Sequence, residues 1–309
     1  MSTFKELMKR LTQPAKPTFS VIIPAFNEER LLPECLKSLS QQIFKDFEVI
    51  VIDNNSTDKT AAIAAAYGAR VVEEIHPGVC WARQAGLKAA KGKIIVSTDA
   101  DTTYPDSWLK NINNKFQVTG VVAVGGPVIY GDDIWWANVW SKCLFGFSAL
   151  CAKLFGQPIY VSACNLAFRK SAIKGYETNL TQGGDELAVL KQLKTHGRVV
   201  IDRKNNVFTS GRRQSRGLLY TFFVTLVWYY LLGYILSKLT KRTVFGGYPA
   251  FRDISKHAKA PLLVKFAQRA SLFAVLAVLV IIFRVHPARA ARAIQKVPHN
   301  INNYIHDKE

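Results

Sequence analysis

The sequence predicts an α/β domain with a mainly parallel sheet flanked by helices, followed by a hydrophobic, basic tail. Three observations point there. Short apolar runs alternate with segments of helical periodicity from residue 19 to residue 98. Acidic and amide residues recur at the ends of those runs. After residue 216 the chain turns to long uncharged stretches bordered by Lys and Arg.

Residues 19–23 (FSVII) form a buried strand ending at Pro24, and the turn Ala25-Phe26-Asn27-Glu28-Glu29 follows. Leu31, Leu32, Cys35, Leu36 and Leu39 then share one helix face, with Pro33 early enough for the first turn to tolerate it. The unit repeats. Residues 47–52 (FEVIVI) make a second strand ended by Asp53, and Asn54-Asn55-Ser56 make a turn. The Ala-rich stretch from Asp58 to Tyr67 is helical, with Gly68 as its C-terminal cap. Val71 and Val72 belong to a third strand, Arg83 begins a helix running to Ala90, and residues 94–98 (IIVST) are a fourth strand. That strand runs into Asp99-Ala100-Asp101. Ligands of such sheets bind at the carboxyl ends of strands, where Asn27, Asp53, Asp99 and Asp101 all fall.

Beyond residue 120 the order changes. Residues 121–130 are a strand broken at Gly125-Gly126, and residues 134–155 are rich in aromatics. Residues 161–168 return to strand. A helix from Asp185 to His196 and a strand at 198–201 complete the domain. These features divide the chain into an N-terminal extension (1–18), a catalytic domain (19–215), membrane-associated hydrophobic helices (216–285) and a basic tail (286–309). Residues 1–17 contain neither an apolar core nor a cleavage site, so no secretory leader is expected.

The net charge of +19 is uneven. Residues 1–110 carry 14 Lys/Arg against 13 Asp/Glu, whereas Arg198 onward carries 19 against 4. Basic charge beside apolar segments points to anionic lipid, and no nucleic-acid reader motif is present. The five cysteines include no CxxC pair or zinc spacing, so all are expected to be reduced core residues.

Asp99-Ala100-Asp101 carries the chemistry. Two carboxylates just past a buried strand can share one hard divalent cation, Mn²⁺ or Mg²⁺, that keeps positions open for substrate phosphates. Such a metal neutralises a diphosphate leaving group. Asp53 is suited to accept a nucleobase N–H, and Arg83 to pair with phosphate or with the metal-binding carboxylates. Helix capping and a surface ion pair are the structural alternatives for Asp53 and Arg83.

Four segments, VIIPAFNEE (21–29), VIDNNSTDKT (51–60), GVCWARQAGLKAAKG (78–92) and STDADTTYPDSWL (97–109), resemble the ordered motifs of glycosyltransferase family 2. The resemblance spans residue 19 to about residue 210. It implies a GT-A-type fold with a mixed, mainly parallel sheet, and an inverting, metal-dependent transfer from a nucleotide diphosphate sugar. It implies that Pro24, Ala25, Phe26, Asn27 and Glu28 line the nucleotide site, with Asp53, Asn54 and Ser56 beside them. Arg83 then lies near the diphosphate, while Asp99 and Asp101, with Ala100 between, match the metal-binding D-x-D. Gln84 stands where the family often has Asn.

The family's base is the acid of an E-D pair before a helix, and here the letters are reversed as Asp185-Glu186. Register favours Glu186; residue type and the better-fixed shorter side chain favour Asp185, and the choice falls narrowly on Asp185. Acids at a helix start are also stabilised there regardless of catalysis. A true base takes a proton from an acceptor hydroxyl, and so favours a hydroxyl over a lipid phosphate. Arg212 and Arg213 either close over the diphosphate or only flank a membrane segment.

Leu218–Leu236 is 19 residues without a charge, enough to span a bilayer. The following loop, 237–261, holds six Lys/Arg and one Asp, so spanning, re-entrant and interfacial arrangements all stay open. Trp135, Trp136 and Trp140 belong either to a second interfacial surface or to a core helix. The expected setting is the cytoplasmic face of the cell membrane, with a lipid-linked or cell-envelope glycan acceptor. The competing classes are a nucleotidyltransferase, which usually has a Gly-rich phosphate loop where this chain has Pro-Ala-Phe-Asn, and a non-catalytic membrane adaptor.

Overall fold

The structure is a computed structural model, and it describes residues 11, 14–131, 134–180, 184–212 and 214. The expected membrane helices (216–285), the basic tail and Arg213 lie outside the described residues. Among the described residues, no helix is long and apolar enough to cross a membrane.

Among the described residues, ten strands form two sheets. The larger has seven strands in the order β3-β2-β1-β4-β8-β6-β9. These are β1 (Phe19–Ala25), β2 (Phe47–Asp53), β3 (Arg70–Glu73), β4 (Ile94–Ser97), β6 (Val121–Gly125), β8 (Leu166–Arg169) and β9 (Arg198–Ile201). Only β8 runs against its neighbours, β4 and β6, so the sheet is mixed but mainly parallel. The second sheet has the order β5-β10-β7, from Thr102–Thr103, Val207–Thr209 and Val128–Tyr130.

The described helices are α1 (Leu32–Ser40), α2 (Thr60–Ala66), α3 (Val79–Ala89), α4 (Trp108–Phe116), α5 (Trp135–Phe155) and α6 (Gly184–His196). Both faces of the sheet are covered, as a parallel sheet requires. Val21, Ile23, Val49 and Val51 pack in a cluster with α1 and α4. Ile22, Ile50, Ile52 and Ile95 point the other way, toward residues of α3 and α6. The alternation explains why β1, β2 and β4 read as unbroken apolar runs.

Some boundaries move. Pro24 does not end β1 but sits inside it, opposite Ile52. The pairing with β4 has already stopped at Ile22–Ser97, so the missing proline N–H falls where β4 asks for none. The helix expected to begin at Arg83 begins at Val79, after Gly78 at φ 130°, which puts Arg83 in its second turn. Residues 161–168 are strand only from Leu166, because Ala163–Asn165 form a 3₁₀ turn. Gly68, at φ 80°, does follow the end of α2.

The break at Gly125-Gly126 carries the chain from one sheet to the other. A side chain on Gly126 would lie 2.4 Å from the Asn205 carbonyl oxygen and 2.5 Å from Asn165 Nδ2. Buried Asn165 is a hub at this crossing. It donates to the carbonyls of Pro127 (3.0 Å) and Asn205 (2.9 Å), and its Oδ1 accepts from Trp108 Nε1 at 2.9 Å. Cys35, Cys80, Cys151 and Cys164 are buried, but Cys143 is exposed, so the fifth thiol is not a core residue.

Candidate active site

The carboxyl ends of β1 and β2 are tied together by polar side chains. Asn27 and Asn55 adopt left-handed backbones at φ 53° and 65°, which asparagine tolerates. The Asn27 N–H donates to Ser56 Oγ at 3.0 Å, and Asn27 Oδ1 accepts the Thr57 N–H at 2.7 Å. Asp53 Oδ1 accepts the Ser56 N–H at 3.2 Å, a local turn in which the carboxylate stands in for backbone. Asn54 is a buried clamp: its Nδ2 donates to the carbonyls of Glu74 and His76, both at 2.7 Å, and its Oδ1 accepts the Gly78 N–H at 2.8 Å. Asn54 therefore holds the start of α3, and the open surface of this corner comes from Phe26, Asn27, Asp53 and Ser56. Phe26 is exposed above it.

Asp99, Ala100 and Asp101 follow β4. The Thr98 N–H and hydroxyl both donate to the Ile22 carbonyl, at 3.2 and 2.9 Å, which pins the acidic turn to β1. Each carboxylate meets an arginine. Arg83 Nη2 donates to Asp99 Oδ1 at 2.8 Å, and its Nη1 donates to Asp185 Oδ2. Arg212 Nη2 donates to Asp101 Oδ2 at 2.8 Å and to Glu28 Oε1 at 2.6 Å, while its Nη1 reaches Glu28 Oε2 at 3.1 Å. Asp101 Oδ1 also accepts from Thr209 Oγ1 at 3.2 Å. Two carboxylate–arginine–carboxylate bridges thus join β1, β4, α3, α6 and the segment after β10 at one sheet edge.

The electrostatics follow from burial. Burial alone would lower the Arg83 pKa, but Asp185 and Asp99 beside it raise it, so its charge is permanent. Burial likewise works against Arg212, and Asp101 and Glu28 outweigh it. Burial raises Glu186 to about 8, helped by the negative charge of Asp185 and opposed by the Ala163 N–H, which donates to Glu186 Oε1 at 2.8 Å. The charge of Asp99 also reaches Glu186.

Asp185 and Glu186, which the sequence left competing, have different surroundings. Side-chain length favours Asp185 as a proton acceptor. The fold makes it the counter-ion of a buried arginine. Glu186 has the pKa of a base poised near neutrality.

The acidic turn fits a hard cation. Its donors are carboxylate oxygens on one short segment, and among the described residues no third His, Cys, Asp or Glu closes them into a cage. That donor set suits Mg²⁺ or Mn²⁺, which pair one or two carboxylates with substrate phosphate oxygens.

Two contributors escaped the sequence reading. The Ala163 N–H and Asn165 act through contacts to residues distant in the chain, and no local motif marks them. Gln84 Oε1 accepts the Tyr176 N–H at 2.8 Å, holding the segment that precedes α6.

The sequence model of glycosyl transferase family 2 matches residues 20–176, just over half of the chain. Glycosyltransferase AglE of Haloferax volcanii is 32% identical over 120 residues, which is 36% of this chain and 40% of that protein. The chain thus spans well under two thirds of the length of such curated relatives. Among solved structures, the mannosyltransferase PcManGT from Pyrobaculum calidifontis, in complex with GDP-Man and Mn²⁺, matches with TM-score 0.56 at 20% identity. That match covers 96% of this chain and 88% of that one. Glucosyl-3-phosphoglycerate synthase from Mycobacterium tuberculosis, in complex with Mn²⁺, UDP-glucose and phosphoglyceric acid, matches with TM-score 0.51 at 21% identity, over 77% and 83% of the two chains. At these identities the likeness to both structures is one of fold.

Proposed function

Because the chain belongs to glycosyltransferase family 2, we propose that it is a nucleotide-sugar-dependent, metal-dependent glycosyltransferase that inverts the anomeric centre. The observation that carries this is the convergence of Glu28, Asp99, Asp101 and Asp185 around Arg83 and Arg212 at the carboxyl ends of the strands.

In this reading the nucleoside lies across the Pro24–Glu28 and Asp53–Ser56 loops, with Asp53 accepting from the base. Asp99 and Asp101 would hold Mn²⁺ or Mg²⁺, which when bound neutralises charge on the diphosphate leaving group. The solved relatives that carry both Mn²⁺ and a nucleotide sugar support the use of a divalent metal. Arg83 holds Asp99 and Asp185 apart and in place. Arg212 can exchange Glu28 and Asp101 for phosphate oxygens, the pairing a guanidinium makes best. Glu186 accepts the proton of the acceptor hydroxyl as that oxygen attacks the anomeric carbon opposite the departing diphosphate. Removing one such base typically costs about 10²–10⁴ in rate.

The acceptor we propose is a hydroxyl of a lipid-linked or cell-envelope glycan, used at the cytoplasmic membrane face where nucleotide sugars are made. The uncharged run Leu218–Leu236 and the basic tail support this setting.

The test is nucleotide release from UDP-, GDP- and TDP-sugars, with Mn²⁺ or Mg²⁺ and membrane lipid extract, compared with Asp101→Ala. Metal-dependent release of one nucleotide, lost in the variant, is the expected result. Failure to bind any nucleotide with either metal would overturn the reading and favour a non-catalytic adaptor.

A further inference from the structure

The helix α5 is 21 residues long, about 31 Å at 1.5 Å per residue. Its two sides differ in what they meet. Ala137, Ser141, Phe145, Ser148 and Cys151 are buried, and at 3.6 residues per turn they share one face. Ser141 Oγ donates to the Val128 carbonyl, and Asn138 holds both the N–H (2.7 Å) and the carbonyl (3.0 Å) of Tyr130, so this face is fastened to β7.

The opposite face is exposed and apolar. Trp135, Val139, Trp140, Phe147, Leu150 and Leu154 line it, with Trp135 74% and Leu154 64% exposed. A soluble surface scatters such residues singly; a stripe along a whole helix marks an interaction site. Lys142 and Lys153 are exposed along one edge of the stripe, and the helix has no acid. Tryptophan at one end, leucine and phenylalanine along the middle and lysines at the margin match a helix that lies in a bilayer interface. The net charge of +19 and the basic surplus after Arg198 give the complementary attraction to anionic headgroups.

The geometry points to this face of α5 as a membrane-contacting surface, seated on an anionic lipid bilayer with its Trp and Leu side chains among the acyl chains. The position gives the contact a use. β7, to which α5 is fastened, pairs with β10, and β10 carries Thr209, the partner of Asp101. A bilayer against α5 would therefore lie beside the sheet that supports the acidic turn. The stripe shares no residue with the proposed chemistry.

The exposed Cys143 lies within the stripe, and the other four thiols are buried, so one environment-sensitive dye can be attached there in the full-length chain. The labelled protein is mixed with phosphatidylcholine vesicles, with or without an equal part of phosphatidylglycerol. A blue shift, and quenching by bromines on the lipid chains, are expected and should be stronger with phosphatidylglycerol. Trp140→Glu with Leu154→Glu should abolish both signals while nucleotide binding is kept. Vesicle co-sedimentation without any change at Cys143 would overturn the proposal, since attachment would then lie elsewhere. A blue-shifted dye without lipid would also overturn it. In that case a concentration-dependent signal would mean that a second copy covers the stripe, and a concentration-independent one that the chain's own Leu218–Leu236 does. Nucleotide release is measured separately, so neither result bears on the transferase reading.

Discussion

Arg83 and Asp185 are 102 residues apart in the chain and form an ion pair in which both side chains are buried, at 2% and 1% exposure. The same guanidinium holds Asp99. A buried charge that loses its partner is costly, commonly about 3–5 kcal/mol. Arg83→Met takes the cation from buried Asp185 and should lower stability by about that order in urea titrations. Adding Asp185→Asn removes the buried acid's charge and should restore a large part of the loss. Nucleotide binding should stay weak in the double variant. Full recovery of binding would mean that Arg83 serves stability alone.

Glu186 makes a pH prediction with a definite sign. Its folded pKa, about 8, lies above the ordinary carboxyl value of 4.5 because of burial and the neighbouring Asp185. The groups around it are Asp185, Arg83, Asp99 and the Ala163 N–H. Between those two pKa values the folded state holds a proton that the unfolded state has lost. Stability from this group therefore falls as pH rises from about 4.5 to about 8, and levels off above. Activity should move the opposite way, since only the ionised form accepts a proton. Glu186→Gln should flatten the stability profile across that window and lower kcat without a matching change in donor binding. If Asp185→Asn alone abolished the rising limb of the rate profile, the base would be Asp185.

The sheet was legible because β1, β2 and β4 are buried on both faces and so appear as continuous apolar runs ended by polar turns. The acids at their ends follow from the same pattern. What sequence could not supply is the pairing. Arg212 and Glu28 are 184 residues apart, and nothing near either residue marks the other. The competition between Asp185 and Glu186 was open for the same reason: what sets the two apart is Arg83 on one and the Ala163 N–H on the other, not the local Gly-Asp-Glu. The Trp-rich segment at 134–155 kept two readings, because a helix with apolar residues all round can be core or interface. Only the burial of Ser141 and Ser148 opposite exposed Trp135 and Trp140 distinguishes its faces.

Gly126 is expected to be intolerant of any side chain. A Cβ there would come within 2.4 Å of a backbone carbonyl oxygen, which cannot rotate away. Gly126→Ala should cost roughly 1–3 kcal/mol through overpacking. It should also loosen the crossing into β7, and through the β7–β10 pairing the Thr209–Asp101 contact. A melt and a metal-binding titration on the same variant should both worsen. An unchanged melt would show that the Asn205 segment yields without cost.

Arg212 occupies Asp101, one of the two carboxylates proposed to hold the metal, and it takes Glu28 with both of its outer nitrogens. A cation arriving at Asp101 must compete with that guanidinium. Arg212→Met removes the competitor and leaves more negative charge at the site. Mn²⁺ alone, followed by paramagnetic resonance, should therefore bind the variant more tightly than the parent. The nucleotide diphosphate should bind the variant more weakly, because the arginine that can receive its phosphates is gone. The two changes in opposite directions are the signature of an exchange, in which Arg212 leaves its acids as the metal and the diphosphate enter together. If Mn²⁺ and nucleotide both bound more weakly to the variant, Arg212 would be a support for the acidic turn and not a group that changes partners.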